Sequence, residues 1–190
     1  MRTNCGQAFE EPAENIQVEL VRDSYDGTPN YPPPEGFSLR LFRPGDRDLW
    51  IETWNRSDDM LKVRRKTFNQ SFGSNLKALD DRCFFLLDPG GQVIGTGTAW
   101  PDPDGVGRAH WVCVDREHQG RGLSKVLLSA VMNRLAQSHE HFRVGTSTFR
   151  IPAIALYLSF GFVPKITTEE QARAWRMVAA ILPHPALKGI

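Results

Sequence analysis

Residues 110–124 of this sequence, HWVCVDREHQGRGLS, form its most informative stretch. The stretch up to Val114 suits a β-strand, and a glycine-rich turn follows it. Apolar residues then recur at helical spacing from Leu123 to Leu135, which is typical of an amphipathic helix. The segment is therefore predicted to be a strand, a turn and a helix.

The turn between that strand and that helix is suited to bind phosphate. The first amides of a helix have no intrahelical acceptor and lie at the positive end of its dipole. Gly120 and Gly122 let a ligand approach the backbone closely, and Arg121 adds a positive charge. The pattern does not match the phosphate-binding motif GxxxxGK[ST]. It does not match the motif GxGxxG either, because Lys125 stands where that motif has its last glycine. On these residues alone, a turn that binds nothing is as well supported as a phosphate cradle.

The composition is that of an ordinary globular domain. The chain has 190 residues, 41% of them hydrophobic and 24% charged, with a net charge of +1. This balance excludes a fibrous or wholly disordered chain and gives no indication of binding to nucleic acid or membrane. Cys5, Cys83 and Cys113 lie far apart, which argues against a disulfide framework or a metal site. With no apolar leader or long apolar segment, the sequence predicts a cytoplasmic protein.

Residues 1–36 differ from the rest of the chain. They hold seven acidic residues, two basic residues and five prolines, which predicts an acidic arm preceding a domain at 37–190. Val18 and Leu20 alternate with polar neighbours and would suit a short edge strand. The opposite charges of arm and domain suggest the hypothesis that the arm docks or supports a homodimer.

From residue 37 onward, the pattern predicts an α+β domain with the order β-α-α-β-β-β-α-β-α-β-α. Strands are predicted at 37–41, 83–87, 93–100, 108–114, 142–148 and 162–164. Helices are predicted from Asp46 to about 54, from Ser57 or Asp58 to about 68, and at 123–135, 153–160 and 169–182. The second of these helices would use Met60 and Leu61 as apolar positions.

Three residues in the predicted strands allow two interpretations each. Gly95 and Gly97 would mark either a bulge or close ligand approach, or a helix packed tightly above the sheet. Cys113 is interpreted as a core thiol that points away from His110, with a nucleophile as the alternative.

Two motifs resemble those of the GCN5-related N-acetyltransferases, the GNAT superfamily. Gln119 to Ser124 resembles its [QR]-x-x-G-x-[GA], with serine in the last position, and Ala153 to Phe162 resembles A-x-x-[LF]-Y-x-x-x-G-F. Their order and spacing match the family over roughly residues 37–164. The resemblance implies a mixed, mostly antiparallel sheet flanked by helices, with strands 108–114 and 142–148 as a splayed central pair. The predicted helix at 169–182 departs from the strand hairpin that ends many members.

The resemblance also implies acetyl-CoA as acyl donor. The five histidines of the sequence form no HExxH motif, so no metal is predicted. The amides that would bind its pyrophosphate belong to Gln119, Gly120, Arg121, Gly122, Leu123 and Ser124. The backbone of Val112 and Val114 would pair with its pantetheine. The acceptor would be a primary amine of a small molecule or peptide that attacks the thioester directly.

Two residues are candidate catalysts. Tyr157 stands where family members often have a tyrosine acid, and a core residue is the alternative. His110, expected on one face with Val112 and Val114, would serve as the base, since an ordinary histidine accepts a proton near neutral pH. A buried hydrogen-bonded histidine is the alternative to that role. Other candidate bases are a water chain and the carboxylates of Asp102, Asp104 and Glu117.

Two rival functions remain open at this point. One is a non-catalytic CoA-binding or sensor domain, against which an intact Tyr157 argues. The other is an acyltransferase that uses another acyl donor or a hydroxyl acceptor.

Overall fold

A computed structural model describes residues 12–73 and 76–190, so Cys5 and the first part of the predicted arm lie outside the described residues. The elements follow the predicted order, with one additional strand at the start. Their bounds are β1 Gln17–Arg22, β2 Ser38–Leu41, α1 Arg47–Ser57, α2 Arg65–Phe72, β3 Cys83–Leu87, β4 Val93–Pro101, β5 Gly107–Val114, α3 Leu123–Leu135, β6 Phe142–Ser147, α4 Ile151–Ser159, β7 Val163–Pro164 and α5 Glu169–Ile181. The α+β class and the mostly antiparallel strand pairing are confirmed.

The chain divides into two compact units. A central unit comprises residues 30–101 and 109–138, and a terminal unit comprises the chain up to Pro29 together with 102–108 and 139–190. This division differs from the boundary predicted at residue 36, because chain segments that are distant in sequence pair with one another in each unit.

The sheet of the central unit is covered by helices on both faces. Strand β3 pairs antiparallel with β2 and β4, and β5 follows β4 in the strand order. Phe85 and Val93 pack with the aromatic residues of α1 and α2, whereas the adjacent Leu86 and Ile94 pack with Leu123 and its neighbours on α3. We refer to these two clusters as the α1/α2 layer and the α3 layer.

The glycines of β4 make room for α3. A Cβ atom added to Gly95 would lie 2.8 Å from the carbonyl oxygen of Cys113 and 2.9 Å from Cδ1 of Leu127. One added to Gly97 would lie 3.1 Å from Cγ2 of Val131. Tight packing of α3 therefore accounts for Gly97. Gly95 is crowded both by α3 and by the backbone of β5, and it lies beside a register shift between β3 and β4, so it fits the bulge interpretation as well.

The second predicted helix starts later than expected. Helix α2 begins at Arg65, and Met60 and Leu61 lie before it with 43% and 39% of their surface exposed. These two residues fit the helical spacing but contribute to no helix, because the backbone of Asp58 is extended, with φ of −138° and ψ of 124°, and α1 ends there.

In the terminal unit, β1 is an interior strand. It pairs antiparallel with β6 along its whole length and with β7 on its other side, and Val18 and Leu20 are buried. The prediction of an edge strand within a loose arm is therefore wrong for residues 17–22. Helix α5 is present as predicted, with Thr168 capping it by accepting a hydrogen bond from the backbone N–H of Gln171 at 3.2 Å.

The start of β5 belongs to the terminal unit. Gly107 and Arg108 pair in parallel with Phe142 and Arg143 of β6. The buried carboxylate of Asp102 joins the two strands, because it accepts hydrogen bonds from the guanidinium groups of both Arg108 and Arg143, each at 2.5 Å.

No helix in the described part of the chain has the length and apolar character needed to span a membrane.

Candidate functional site

The side chains of β5 stop alternating at Trp111, and we interpret this position as a bulge. Among the described non-glycine residues, Trp111 is the one with a positive φ, at 52°. The ring of His110 lies 5.8 Å from that of Phe72, and the ring of Trp111 lies 4.5 Å from that of Trp54, so both side chains face the α1/α2 layer. Val112 packs in the α3 layer instead. The predicted common face of His110 and Val112 is therefore wrong, because strict alternation ends at the bulge.

Cys113 also packs in the α1/α2 layer, so the expectation that it points away from His110 is wrong for the same reason. Burial raises the pKa of its thiol to about 12. A thiol with such a pKa stays protonated near neutral pH and is a poor nucleophile. The core-thiol interpretation of Cys113 is the one that the structure supports.

A buried carboxylate holds the turn that follows β5. Asp115 accepts a hydrogen bond from Nε of Arg56 at 2.7 Å and a longer one from the backbone N–H of Glu117 at 3.4 Å. The guanidinium of Arg56 also donates to the carbonyl of Val93 at 2.7 Å. The end of β5, the end of α1 and the start of β4 are thereby joined. Sequence analysis missed Arg56, because nothing local links it to a residue 59 positions away.

Gln119 fixes the same turn from its other side. Its side-chain amide donates to the carbonyls of Val114 and Ser57, at 2.9 and 3.1 Å. Its backbone N–H donates to the carbonyl of Arg116 at 3.2 Å and so already has an acceptor. The side chain of Gln119 therefore positions the turn, and the predicted contact of its backbone amide with phosphate stays a prediction.

The two glycines of the turn have left-handed backbone conformations, with φ of 77° at Gly120 and 76° at Gly122. A Cβ atom added to either would meet no atom within 4 Å, so the space beside both is open. The buried side chain of Leu123 anchors the first turn of α3 directly after them. The turn therefore has open space beside both glycines at a helix N-terminus, a place where backbone amides can bind an anion, and the predicted phosphate contacts stay a prediction.

Tyr157 lies on α4 in the terminal unit. Its side chain is buried, and its ring stands edge-on to that of Phe162 at 6.2 Å. Gly161 follows the helix with φ of 79°, as expected for its position, and Arg22 holds the helix end by donating to the carbonyl of Phe160 at 2.6 Å. The structure thus gives Tyr157 a fixed, packed position, and its acid role stays a prediction.

Two of the alternative bases are engaged in ion pairs. Asp102 is bound by two guanidinium groups. Burial would raise the pKa of Asp104, but the backbone N–H of Val106 and the guanidinium of Arg143 outweigh it and hold that pKa below its usual range. The lowered pKa makes Asp104 a poor proton acceptor. Within the described ranges, no group of three or more His, Cys, Asp or Glu side chains could hold a metal ion.

Of the predicted site residues, His110, Val112, Val114 and the turn 119–124 lie together in the central unit. The fold and the site together define an α+β domain in which a bulged strand, a glycine turn and the N-terminus of a helix follow one another directly. The Acetyltransferase (GNAT) family model matches residues 46–162, more than half of the chain. The chain belongs to the GNAT acetyltransferase family.

Individual relatives agree with this assignment. N-acetyltransferase 8F1 of Mus musculus is 34% identical over 135 residues, which cover 66% of this chain and 56% of that protein. Mycothiol acetyltransferase of Acidimicrobium ferrooxidans is 27% identical over 164 residues, covering 75% and 48%. The crystal structure of a GCN5-related N-acetyltransferase from Sphaerobacter thermophilus has a TM-score of 0.67 at 21% identity, covering 83% and 50%. The chain spans about half the length of the curated relatives it matches.

Proposed function

We propose that this protein is an acetyl-CoA-dependent N-acetyltransferase that moves an acetyl group to a primary amine of a small molecule or peptide. The observation that carries the proposal is the open turn formed by Gly120 and Gly122 at the N-terminus of α3. Membership in a family of acetyltransferases supports acetyl transfer as the reaction.

The proposed donor site uses backbone groups for most of its contacts. When bound, acetyl-CoA supplies an acyl group activated as a thioester. The amides from Gly120 to Ser124 would bind its pyrophosphate, and the exposed guanidinium of Arg121 would add a charge-assisted contact. The backbone of Val112 and Val114 would pair with its pantetheine. The side chains of Asp115 and Gln119 would keep the turn in place, because both are bound within the protein. The backbone amide of Gln119 is proposed as a further contact to the pyrophosphate.

Two side chains are proposed to move protons. An amine with an ordinary pKa near ~10 must lose a proton before it can attack, and a histidine with an ordinary pKa of ~6.5 can accept one at neutral pH. His110 is proposed for this step, with its ring oriented by Phe72 and Trp111. Tyr157 is proposed to protonate the departing thiolate, since a phenol stays protonated at neutral pH.

The test is a thiol-release assay with acetyl-CoA and a panel of amines, polyamines, amino acids, aminoglycosides and N-terminal peptides. A blank without acceptor corrects for protein thiols, and burial raises the pKa of Cys83 to about 11, which slows its reaction with the thiol reagent. Release that depends on one amine supports the proposal. Binding of CoA without turnover of any acceptor would favour the sensor function, and absence of CoA binding would refute the donor assignment.

A further inference from the structure

The segment Asn30–Phe37, which we call the strap, follows one face of α3. The backbone N–H of Tyr31 donates to Oγ of Ser129 at 2.9 Å, and the side-chain amide of Asn133 donates to that of Asn30 at 3.1 Å. All of these residues belong to the central unit. Because Ser129 and Asn133 are four residues apart, both contacts lie on the same helical face, and Lys125 precedes them on it.

Two aromatic rings of the strap face two cations beside the turn. Nζ of Lys125 lies 5.1 Å from the centroid of the Tyr31 ring, and Cζ of Arg121 lies 5.3 Å from that of Phe37. Both distances fall within the range of a cation–π interaction. Prolines 32–34 stiffen the chain between the rings, and the N–H of Phe37 closes a turn on the carbonyl of Pro34 at 3.0 Å. The rings therefore limit where the two charges can lie.

These two cations differ from most arginines of the central unit. Arg56 and Arg134 are paired with the carboxylates of Asp115 and Asp81. In the described ranges, no carboxylate pairs with Arg121 or Lys125. Aromatic rings hold a cation without neutralising its charge, so both side chains keep their full attraction for an anion.

We infer that Lys125, positioned by Tyr31, binds a second phosphate of the donor, the 3′-phosphate monoester on the adenosine of CoA. This rests on the proposed function, which uses the amides and Arg121 for the pyrophosphate. A phosphate monoester carries a charge of about −1.5 to −2 near neutral pH, and lysine binds it as a point charge. Lys125 is four residues after Arg121 and lies in the first turn of α3, so it extends the positive surface from the glycine turn onto the helix. The strap would thus make the protein selective for CoA over dephospho-CoA.

The experiment is calorimetric titration of the full chain with CoA and with dephospho-CoA, which lacks only that phosphate. We expect the wild type to bind CoA more tightly than dephospho-CoA. Lys125→Gln should weaken CoA binding by about 5- to 10-fold and leave dephospho-CoA binding unchanged. Tyr31→Leu should weaken CoA binding by about 2- to 5-fold, and Tyr31→Phe, which keeps the ring, should restore it.

Melting temperatures of the variants show whether each one is folded before its affinity is interpreted. Equal wild-type affinities for CoA and dephospho-CoA, or a preference unchanged in Lys125→Gln, would overturn the inference and leave the proposed function intact. A Tyr31→Leu variant that binds like the wild type would overturn the positioning role of the ring. If the wild type bound neither nucleotide, the proposed function itself would fail.

Discussion

Replacing Gly122 with alanine adds one methyl group at the start of α3. Glycine adopts the φ of 76° found there freely, whereas an L-residue in this region costs about 1–2 kcal/mol. Because the added Cβ meets no atom within 4 Å, this strain is the whole expected cost in the free protein. For a chain of this length, about 1 kcal/mol lowers Tm by ~2–4 °C. We therefore expect Gly122→Ala to melt about 2–8 °C lower than the wild type.

The effect on donor binding should be larger than the effect on stability. The methyl group would occupy space that a phosphate needs to reach the backbone amides of the turn. Loss of one hydrogen bond to a charged group costs about 1.5–3 kcal/mol, which corresponds to about 10- to 150-fold in Kd. Gly122→Ala should therefore bind CoA at least about 10-fold more weakly in calorimetry.

Gly91→Ala is the matched control for this variant. Gly91 lies in the turn between β3 and β4, has a φ of 81°, and its added Cβ would also meet no atom within 4 Å. The same strain should therefore lower its Tm by a similar amount without changing its affinity for CoA. Equal CoA affinities in Gly122→Ala and Gly91→Ala would refute the assignment of the turn as a phosphate site.

Three further predictions test other parts of the molecule. Tyr157→Phe should lower kcat by about 10²–10⁴-fold in the thiol-release assay with unchanged CoA affinity, and full activity would show that the residue only packs. Gly95→Ala should destabilise the protein by about 1–3 kcal/mol in a denaturant titration, because its Cβ meets a backbone oxygen at 2.8 Å, whereas Gly145→Ala, with no atom within 4 Å, should not. For Asp46, burial would raise the pKa, but hydrogen bonds from Arg40 and a backbone N–H outweigh it and lower that pKa. The carboxylate therefore stabilises the fold above its ordinary pKa near ~3.9 and loses this effect as pH falls through the lowered value, so Asp46→Asn should be less stable than the wild type at pH 7 and equally stable in strong acid. A pH-independent difference in melting would contradict this reasoning.

The local elements could be predicted from the sequence because their signals lie within a few residues of one another. The spacing of apolar residues over 123–135 predicted α3 with the bounds that the structure shows, and Thr168 caps α5 as predicted. The need for glycine at a positive φ made the turn at Gly120 and Gly122 recognisable without any knowledge of the fold. For the same reason, the family motifs could be found from the sequence alone.

Contacts between distant segments were decided by the tertiary structure. The sequence showed that residues 17–22 alternate, but only pairing with β6 and β7 made them an interior strand. Alternation predicted the wrong face for His110, because the bulge at Trp111 reverses it and no single residue type specifies a bulge. The bond from Arg56 to Asp115 joins residues 59 positions apart. A sequence determines local conformational preference directly, whereas such pairings depend on which surfaces the folded chain buries together.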